Sequence, residues 1–171
     1  EVMSVAGVSF SDVKQIAVCV GPGSFTGIRV GVAFARGLAL ANNLTAIGVS
    51  SLEALVGTPP SLPTLALIPA RLRLPDQSFW AQIVTQDSVY EPMEVDADKL
   101  SDLVDSVGEI ATPPEGAEIL ASIMPEKALS IRYPKASGVA LWAVHQTSFA
   151  PRLPSPLYVR EPDATPARSL A

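Results

Sequence analysis

The feature that most constrains the fold is a short apolar run that ends in a glycine-rich turn and continues into a helical pattern. Residues 16–20 are all apolar and predict a buried strand, because two glycines follow almost at once and end the run. Helical spacing then continues to about residue 41, and a side-chain hydroxyl at its start can accept a hydrogen bond from a free backbone N–H. The predicted turn and cap positions are Gly21, Gly23, Ser24 and Thr26.

The same alternation repeats directly afterwards. Residues 46–49 predict a second short strand, and Ser50 or Ser51 is placed to cap a brief helix after it. Strand–helix–strand–helix order is typical of an α/β layer. The predicted fold class is therefore α/β.

The proline-rich stretch 58–63 marks a boundary between two predicted lobes. The segment 1–57 belongs to the first lobe, 64–160 forms a second, smaller α/β lobe, and 161–171 is a loose C-terminal tail. In the second lobe the pattern predicts strands at 64–68 and 79–86 around a hairpin loop at 69–78, helices at 97–107, 116–124 and 137–146, and an extended segment at 156–159.

The composition favours a protein that covers part of its surface with a partner. Apolar residues make up 48% of the chain and charged residues 17%, and large bare apolar patches are uncommon on monomers. The net charge is −5 and the basic residues are scattered, which argues against independent nucleic-acid binding. A single cysteine, Cys19, suits a reducing cytoplasm. No secretory signal opens the chain and no apolar run is long enough to span a membrane, so a cytoplasmic location is expected.

The glycine-rich stretch 21–31 does not fit the common phosphate-binding motifs. A P-loop needs Lys and then Ser or Thr after its last glycine, whereas Ile28 and Arg29 follow Gly27. A dinucleotide fingerprint needs a third glycine where Thr26 stands, and no acidic residue follows the second strand. A helix N-terminus attracts anions only weakly by itself, so nucleotide binding here is the weaker prediction.

Small residues recur every four positions along the predicted helix. Glycine costs about 1 kcal/mol relative to alanine inside a helix, so glycines on one line indicate close approach of another backbone. That backbone belongs either to the chain's own sheet or to a partner helix; the spacing does not separate the two, and the low charge content favours the partner. The predicted partner interface comprises the small residues Gly27, Gly31, Ala35 and Ala39, the flanking Val30, Phe34 and Leu38, and Arg29, which is placed to meet carboxylates.

Residues 21–31, together with 35–39 and 48–55, strongly resemble the TsaB (YeaZ) family of bacterial tRNA threonylcarbamoyladenosine biosynthesis proteins, and 156–163 resembles the C-terminal signature of that family. The resemblance implies a two-lobe ASKHA fold, the fold of actin, hexokinase and RNase H. Family members open with a strand that carries an Asp-Thr-Ser type turn, which is absent here, so we expect the first lobe to be incomplete. Many members also carry Asp where Pro69 stands.

The resemblance also implies partners. TsaB-like proteins pair with the catalytic paralogue TsaD, joined by the ATPase TsaE, in a complex that modifies adenosine 37 of tRNAs reading ANN codons. The helix that corresponds to residues 26–41 packs against TsaD, or against a second TsaB copy when the protein is alone. The implied role is a non-catalytic scaffold that binds no cofactor by itself. It contacts tRNA only through the complex, which uses ATP and a metal ion held by the partner.

The sequence predicts no catalytic constellation. Catalytic paralogues in the family use a His-x-x-x-His metal motif, whereas histidine occurs here once, at His145. Cys19 lies in an apolar strand with no base nearby in sequence, and Ser24 and Thr26 have no identifiable activating base. Two other function classes stay open: a metal-dependent hydrolase of the same superfamily, and an ASKHA nucleotide-binding sensor.

Overall fold

The computed structural model describes residues 2–146 and 152–159, which form two β-sheets with helices packed on them. In these residues the α-helices are α1 Val2–Ala6, α2 Phe25–Ala41, α3 Ser51–Val56, α4 Ser101–Val104, α5 Pro114–Ile123 and α6 Ala136–Gln146. The strands are β1 Gln15–Cys19, β2 Thr45–Val49, β3 Thr64–Arg71, β4 Ser78–Val84, β5 Met93–Asp96, β6 Glu109–Thr112 and β7 Leu129–Ile131. Short 3-10 turns lie at Phe10–Asp12 and Ala97–Lys99.

The two sheets differ in size and in strand direction. In the smaller sheet β1 and β2 pair in parallel, with Gln15 opposite Thr45 and Cys19 opposite Val49. The larger sheet has the order β5-β4-β3-β6-β7. Its β3–β4 and β4–β5 pairs are antiparallel, and its β3–β6 and β6–β7 pairs are parallel. A parallel pair needs a long crossover, which α2 supplies between β1 and β2 and α5 supplies between β6 and β7.

Helices α3 and α6 join the two sheets. α6 contacts both strands of the smaller sheet, α3 contacts β3, β4 and β6 of the larger sheet, and the two helices contact each other. One apolar core passes through this contact and includes Ile47, Leu52 and Trp142. A second core lies on the opposite face of the larger sheet, where alternate strand residues such as Leu65 and Phe79 pack against Leu120.

The predicted α/β class and the elements of the first lobe are confirmed. The strand predicted at 16–20 forms at Gln15–Cys19, and the following helix ends at Ala41 with Asn42 as its C-cap. The strand predicted at 46–49 forms at Thr45–Val49. Ser50, not Ser51, caps α3, because its Oγ accepts a hydrogen bond from the N–H of Glu53 at 2.9 Å.

The second lobe departs from its prediction in three places. The loop expected at 69–78 is shorter, because β3 continues to Arg71 and pairs Pro69 with Phe79. The amphipathic helix expected at 97–107 is wrong: a 3-10 turn leads into α4, which ends at Val104. The chain leaves the helix there because the N–H groups of Gly108 and Glu109 both donate to the carbonyl of Pro63, which starts β6 beside β3. The sequence did not predict β5, β6 and β7, which have only three or four residues each.

The remaining elements lie close to their predicted positions. The helices expected at 116–124 and 137–146 form as α5 and α6. The segment 156–159 is not a strand, but the N–H of Leu157 donates to the carbonyl of Val20 at 2.8 Å. The predicted tail 161–171 lies outside the described residues. Within the described part of the chain, none of the helices combines the length and apolarity that crossing a bilayer requires.

Candidate docking surface on helix α2

The turn before α2 fixes the start of the helix. Gly21 has φ +105°, and a Cβ at this position would lie 2.8 Å from Cδ1 of Ile28 and 3.0 Å from the carbonyl oxygen of Leu157. Ser24 is the N-cap, and its Oγ accepts a hydrogen bond from the N–H of Gly27 at 3.4 Å. Thr26 lies inside the helix and is exposed. Of the two predicted caps, Ser24 is therefore the one that forms.

One face of α2 is covered by the chain's own smaller sheet. Ala35 and Ala39 are 4% and 3% exposed, and α2 contacts both β1 and β2. Gly31 is half-buried on the same side, where a Cβ would lie 3.9 Å from Cγ2 of Val18. The prediction that Ala35 and Ala39 meet a partner is therefore wrong. These small side chains serve close packing of the helix on its own sheet, which was the other open alternative.

The opposite face of α2 is apolar and exposed. Val30 is 63% exposed, Phe34 69% and Leu40 85%. Gly37 lies between them along the helix, and a Cβ there would meet nothing within 4 Å. Gly27 is also exposed, whereas Leu38 is half-buried at the edge of this face. We call Val30, Phe34, Gly37 and Leu40, with the small residues Ala33 and Ala41 between them, the α2 outer face.

Sequence reasoning found only half of the α2 outer face. Val30 and Phe34 were predicted as flanks of the small-residue line, and Gly37 and Leu40 were missed. The signal was present, since residues 30, 33, 34, 37 and 41 follow the i, i+3, i+4, i+7 spacing of a single helical stripe. The alternative line through Gly31 and Ala35 hid it, because both faces of the helix are made of small or apolar residues.

Arg29 contacts the C-terminal segment. Its Nε donates a hydrogen bond to the hydroxyl of Tyr158 at 2.6 Å, and its guanidinium carbon lies 3.8 Å from the ring centroid of Phe25. The rings of Phe25 and Tyr158 lie 5.4 Å apart. Arg29 is nevertheless exposed, so its remaining N–H groups face solvent beside the α2 outer face. The expected contact of Arg29 with a partner's carboxylate stays a prediction.

The residues with catalytic potential lie apart from α2. The ring of His145 lies 5.6 Å from that of Trp142 on α6, and Sγ of Cys19 lies 3.4 Å from Oγ of Ser51. In residues 2–146 and 152–159, no three His, Cys, Asp or Glu side chains are grouped so that they can hold a metal ion. The arrangement around α2 is suited to packing against another polypeptide.

This architecture is an ASKHA-type α/β fold, and two solved structures from Pseudomonas aeruginosa share it. The first is described as an uncharacterized protein with similarity to peptidase YEAZ; it has a TM-score of 0.69 and 22% identity, over 93% of this chain and 79% of that one. The second, YeaZ, has a TM-score of 0.62 and 22% identity, over 85% of this chain and 71% of that one. The predicted fold is thereby confirmed.

The family model described as TsaD, tRNA N6-adenosine threonylcarbamoyltransferase, matches residues 1–152. The chain therefore belongs to this family.

Individual relatives include proteins named TsaB. The tRNA threonylcarbamoyladenosine biosynthesis protein TsaB of Escherichia coli K12 is 46% identical over 52 residues, which span 30% of this chain and 22% of that protein. TsaB of Haemophilus influenzae is 42% identical over 55 residues, 32% of this chain and 23% of that protein. An uncharacterized protein of Mycobacterium bovis, Mb3455c, is 28% identical over 94% of this chain and 71% of its own length. The predicted similarity to TsaB (YeaZ) proteins is confirmed, and the matched segments span less than a quarter of the two curated TsaB proteins.

Proposed function

We propose that this protein is a non-catalytic scaffold subunit that pairs with a TsaD-type enzyme. In this proposal the complex, with TsaE, forms N6-threonylcarbamoyladenosine at position 37 of tRNAs that read ANN codons. Membership of the TsaD family and the similarity to proteins named for tRNA threonylcarbamoyladenosine biosynthesis support the pathway. The scaffold acts in the cytoplasm and meets tRNA only through the complex.

The observation that carries the proposal is the α2 outer face. Burial of Val30, Phe34 and Leu40 supplies roughly 1.5–3 kcal/mol for each side chain. Association of two proteins costs about 4–15 kcal/mol in lost freedom. The three side chains alone therefore come only near to balance, and a stable complex needs further contacts beside the helix.

A groove next to α2 can provide those contacts. It has a volume of about 570 Å³ and lies between Gly37 and Leu40 of the helix and the segment 153–155. Leu153 on its far side is largely exposed. A side chain of the partner that enters this groove would bury Leu40 and Leu153 together. The docking surface in this proposal is therefore the α2 outer face with the groove at its C-terminal end.

Charged residues border the docking surface. Arg29 and Arg36 lie seven positions apart on one side of α2, and both are exposed. Rim charges contribute more to the rate and selectivity of association than to affinity. We expect carboxylates on the partner to face these two arginines. A second copy of this chain offers the same apolar face, so self-association through α2 is the expected behaviour of the free protein.

The non-catalytic part of the proposal rests on the family comparison. Catalytic members place two histidines in a His-x-x-x-His motif, whereas these 171 residues contain His145 alone. In this proposal ATP and the metal ion bind to the partner enzymes. A metal-dependent hydrolase and a nucleotide-binding sensor remain the alternatives. Metal-dependent proteolysis by the purified chain would favour the first, and calorimetric binding of ATP to the free chain would favour the second.

Reconstitution tests the proposed role. The full chain is mixed with TsaD, TsaE, the threonylcarbamoyl-adenylate synthase, ATP, threonine, bicarbonate and tRNA, and modified adenosine is measured by mass spectrometry. We expect product only when the chain is present, and the TsaD preparation without it is the control. Equal product in the absence of the chain would show that it is not a required subunit.

A further inference from the structure

A second cavity lies away from the docking surface, at the C-terminal end of α6. It has a volume of about 330 Å³, within the range of small-molecule sites. Its wall is formed by Glu53 of α3, the turn at 85–91, the end of α6 and Arg152, and none of the lining residues belongs to α2. The inference drawn from this cavity is therefore independent of the proposed pairing.

Two buried side chains of the cavity wall lack hydrogen-bond partners. Trp142 is 1% exposed and Gln146 8% exposed. The indole Nε1 of Trp142 and both polar atoms of the Gln146 carboxamide have no partner among the described residues. The two side chains are four positions apart on α6 and so lie on one side of the helix. Because buried polar groups are almost always paired, these three atoms indicate an occupant that supplies their hydrogen bonds.

The neighbouring polar groups of the wall are already engaged. Glu53 is buried and forms an ion pair with Arg152. Its second oxygen accepts a hydrogen bond from the N–H of Ser50 at 2.7 Å. Free hydrogen-bonding capacity in this part of the wall is therefore concentrated on Trp142 and Gln146.

The charges of the wall select the kind of occupant. The lining holds the three carboxylates of Glu53, Asp87 and Glu91 but the single guanidinium of Arg152, so an anion is repelled. A simple ammonium ion offers only donors, and the indole N–H of Trp142 needs an acceptor. A neutral group that carries an acceptor oxygen next to an N–H donor satisfies both residues.

We propose that this cavity binds a small neutral molecule through a carboxamide or lactam edge. The oxygen of that edge accepts from the indole N–H of Trp142 or the amide N–H of Gln146, and its N–H donates to Oε1 of Gln146. The Trp142 ring and Val89 provide apolar contact for the rest of the molecule.

The test uses nicotinamide as the probe and nicotinate as its anionic control. The chain has two tryptophans, so a 15N-labelled sample gives two indole N–H signals, assigned with the variant Trp80→Phe. Nicotinamide is expected to shift the Trp142 signal, with the Trp80 signal unchanged and a dissociation constant of about 1 mM for a ligand of this size. Nicotinate at the same concentrations is expected to leave both signals in place.

A variant separates the hydrogen-bonding role from a general effect of the cavity. Gln146→Met keeps the length of the side chain and removes both polar atoms, so nicotinamide binding should weaken by at least about tenfold. The dispersed Trp142 signal of the free variant reports that it is folded. The proposal is overturned if nicotinamide shifts neither signal, which would mean that the cavity holds water only, or if nicotinate shifts Trp142 equally. Unchanged binding to Gln146→Met would also overturn it.

Discussion

Gly138 of α6 lies directly against the backbone of Ala54 of α3. A Cβ at Gly138 would lie 3.2 Å from the carbonyl carbon and 3.4 Å from the Cα of Ala54, and would overlap its carbonyl oxygen. This contact joins the helix on the smaller sheet to the helix on the larger sheet. Because backbone atoms rather than a flexible side chain occupy the space, the two helices can approach this closely only with glycine at position 138.

Gly138→Ala is therefore expected to lower the free energy of unfolding by about 2–3 kcal/mol, the cost of forcing packed elements apart. Urea unfolding followed by tryptophan fluorescence measures this change. The matched control is Gly37→Ala on α2, where a Cβ meets nothing within 4 Å. The control should raise stability by up to about 1 kcal/mol through helix propensity. Equal effects of the two substitutions would contradict the close α3–α6 contact.

The two glycines of the turn before α2 are expected to respond differently to the same substitution. Gly21→Ala places a Cβ at φ +105° and against Ile28 and Leu157, so a loss of about 1–3 kcal/mol in the free energy of unfolding is expected. Gly23→Ala brings a Cβ only within 3.7 Å of Ile28, an ordinary contact. Thermal unfolding of both variants checks the prediction, which fails if Gly23→Ala is the more damaging change.

The ion pair between Glu53 and Arg152 is expected to matter through the buried partner. Arg152→Met leaves the buried carboxylate of Glu53 uncompensated, and a loss of about 3 kcal/mol in the free energy of unfolding is expected. Glu53→Gln added to Arg152→Met removes that charge and can still accept the hydrogen bond from Ser50, so it should restore most of the stability. Chemical unfolding of the single and double variants measures this. A double variant less stable than Arg152→Met would contradict the account.

The first lobe followed from local signals, and the second did so only in part. Residues 15–56 carry strong punctuation, because Gly21 ends a strand and Ser24 and Ser50 cap helices, so each element was predicted within one or two residues. The end of α4 depends instead on a long-range contact, the hydrogen bonds from Gly108 and Glu109 to Pro63. No local pattern in residues 97–107 reports that contact. For the same reason the strands β5 to β7 were missed, since their pairing partners lie far away in sequence.

The candidate site shows a similar division. Helical periodicity located α2 as the docking element, but it did not decide which side of the helix faces the chain's own sheet. That choice depends on how β1 and β2 pair beneath Ala35 and Ala39, which is a tertiary relationship. Gly31, predicted as a point of close approach to a partner, lies towards Val18 instead. Substitutions at Gly31 therefore test the packing of the chain on itself, and Phe34 is the better probe of docking.

The most direct test of the account is the affinity of the full chain for a purified TsaD-type partner, measured by titration calorimetry for the chain and two charge variants. Phe34→Glu places a carboxylate in the centre of the α2 outer face and is expected to weaken binding by about 100-fold or more. Leu74→Glu makes the same change at an 80% exposed residue in the β3–β4 loop and should leave binding unchanged. Both variants should unfold within about 0.5 kcal/mol of the parent. Full affinity in Phe34→Glu, or an equal loss in both variants, would contradict the claim that this protein works by docking a partner on the outer face of α2.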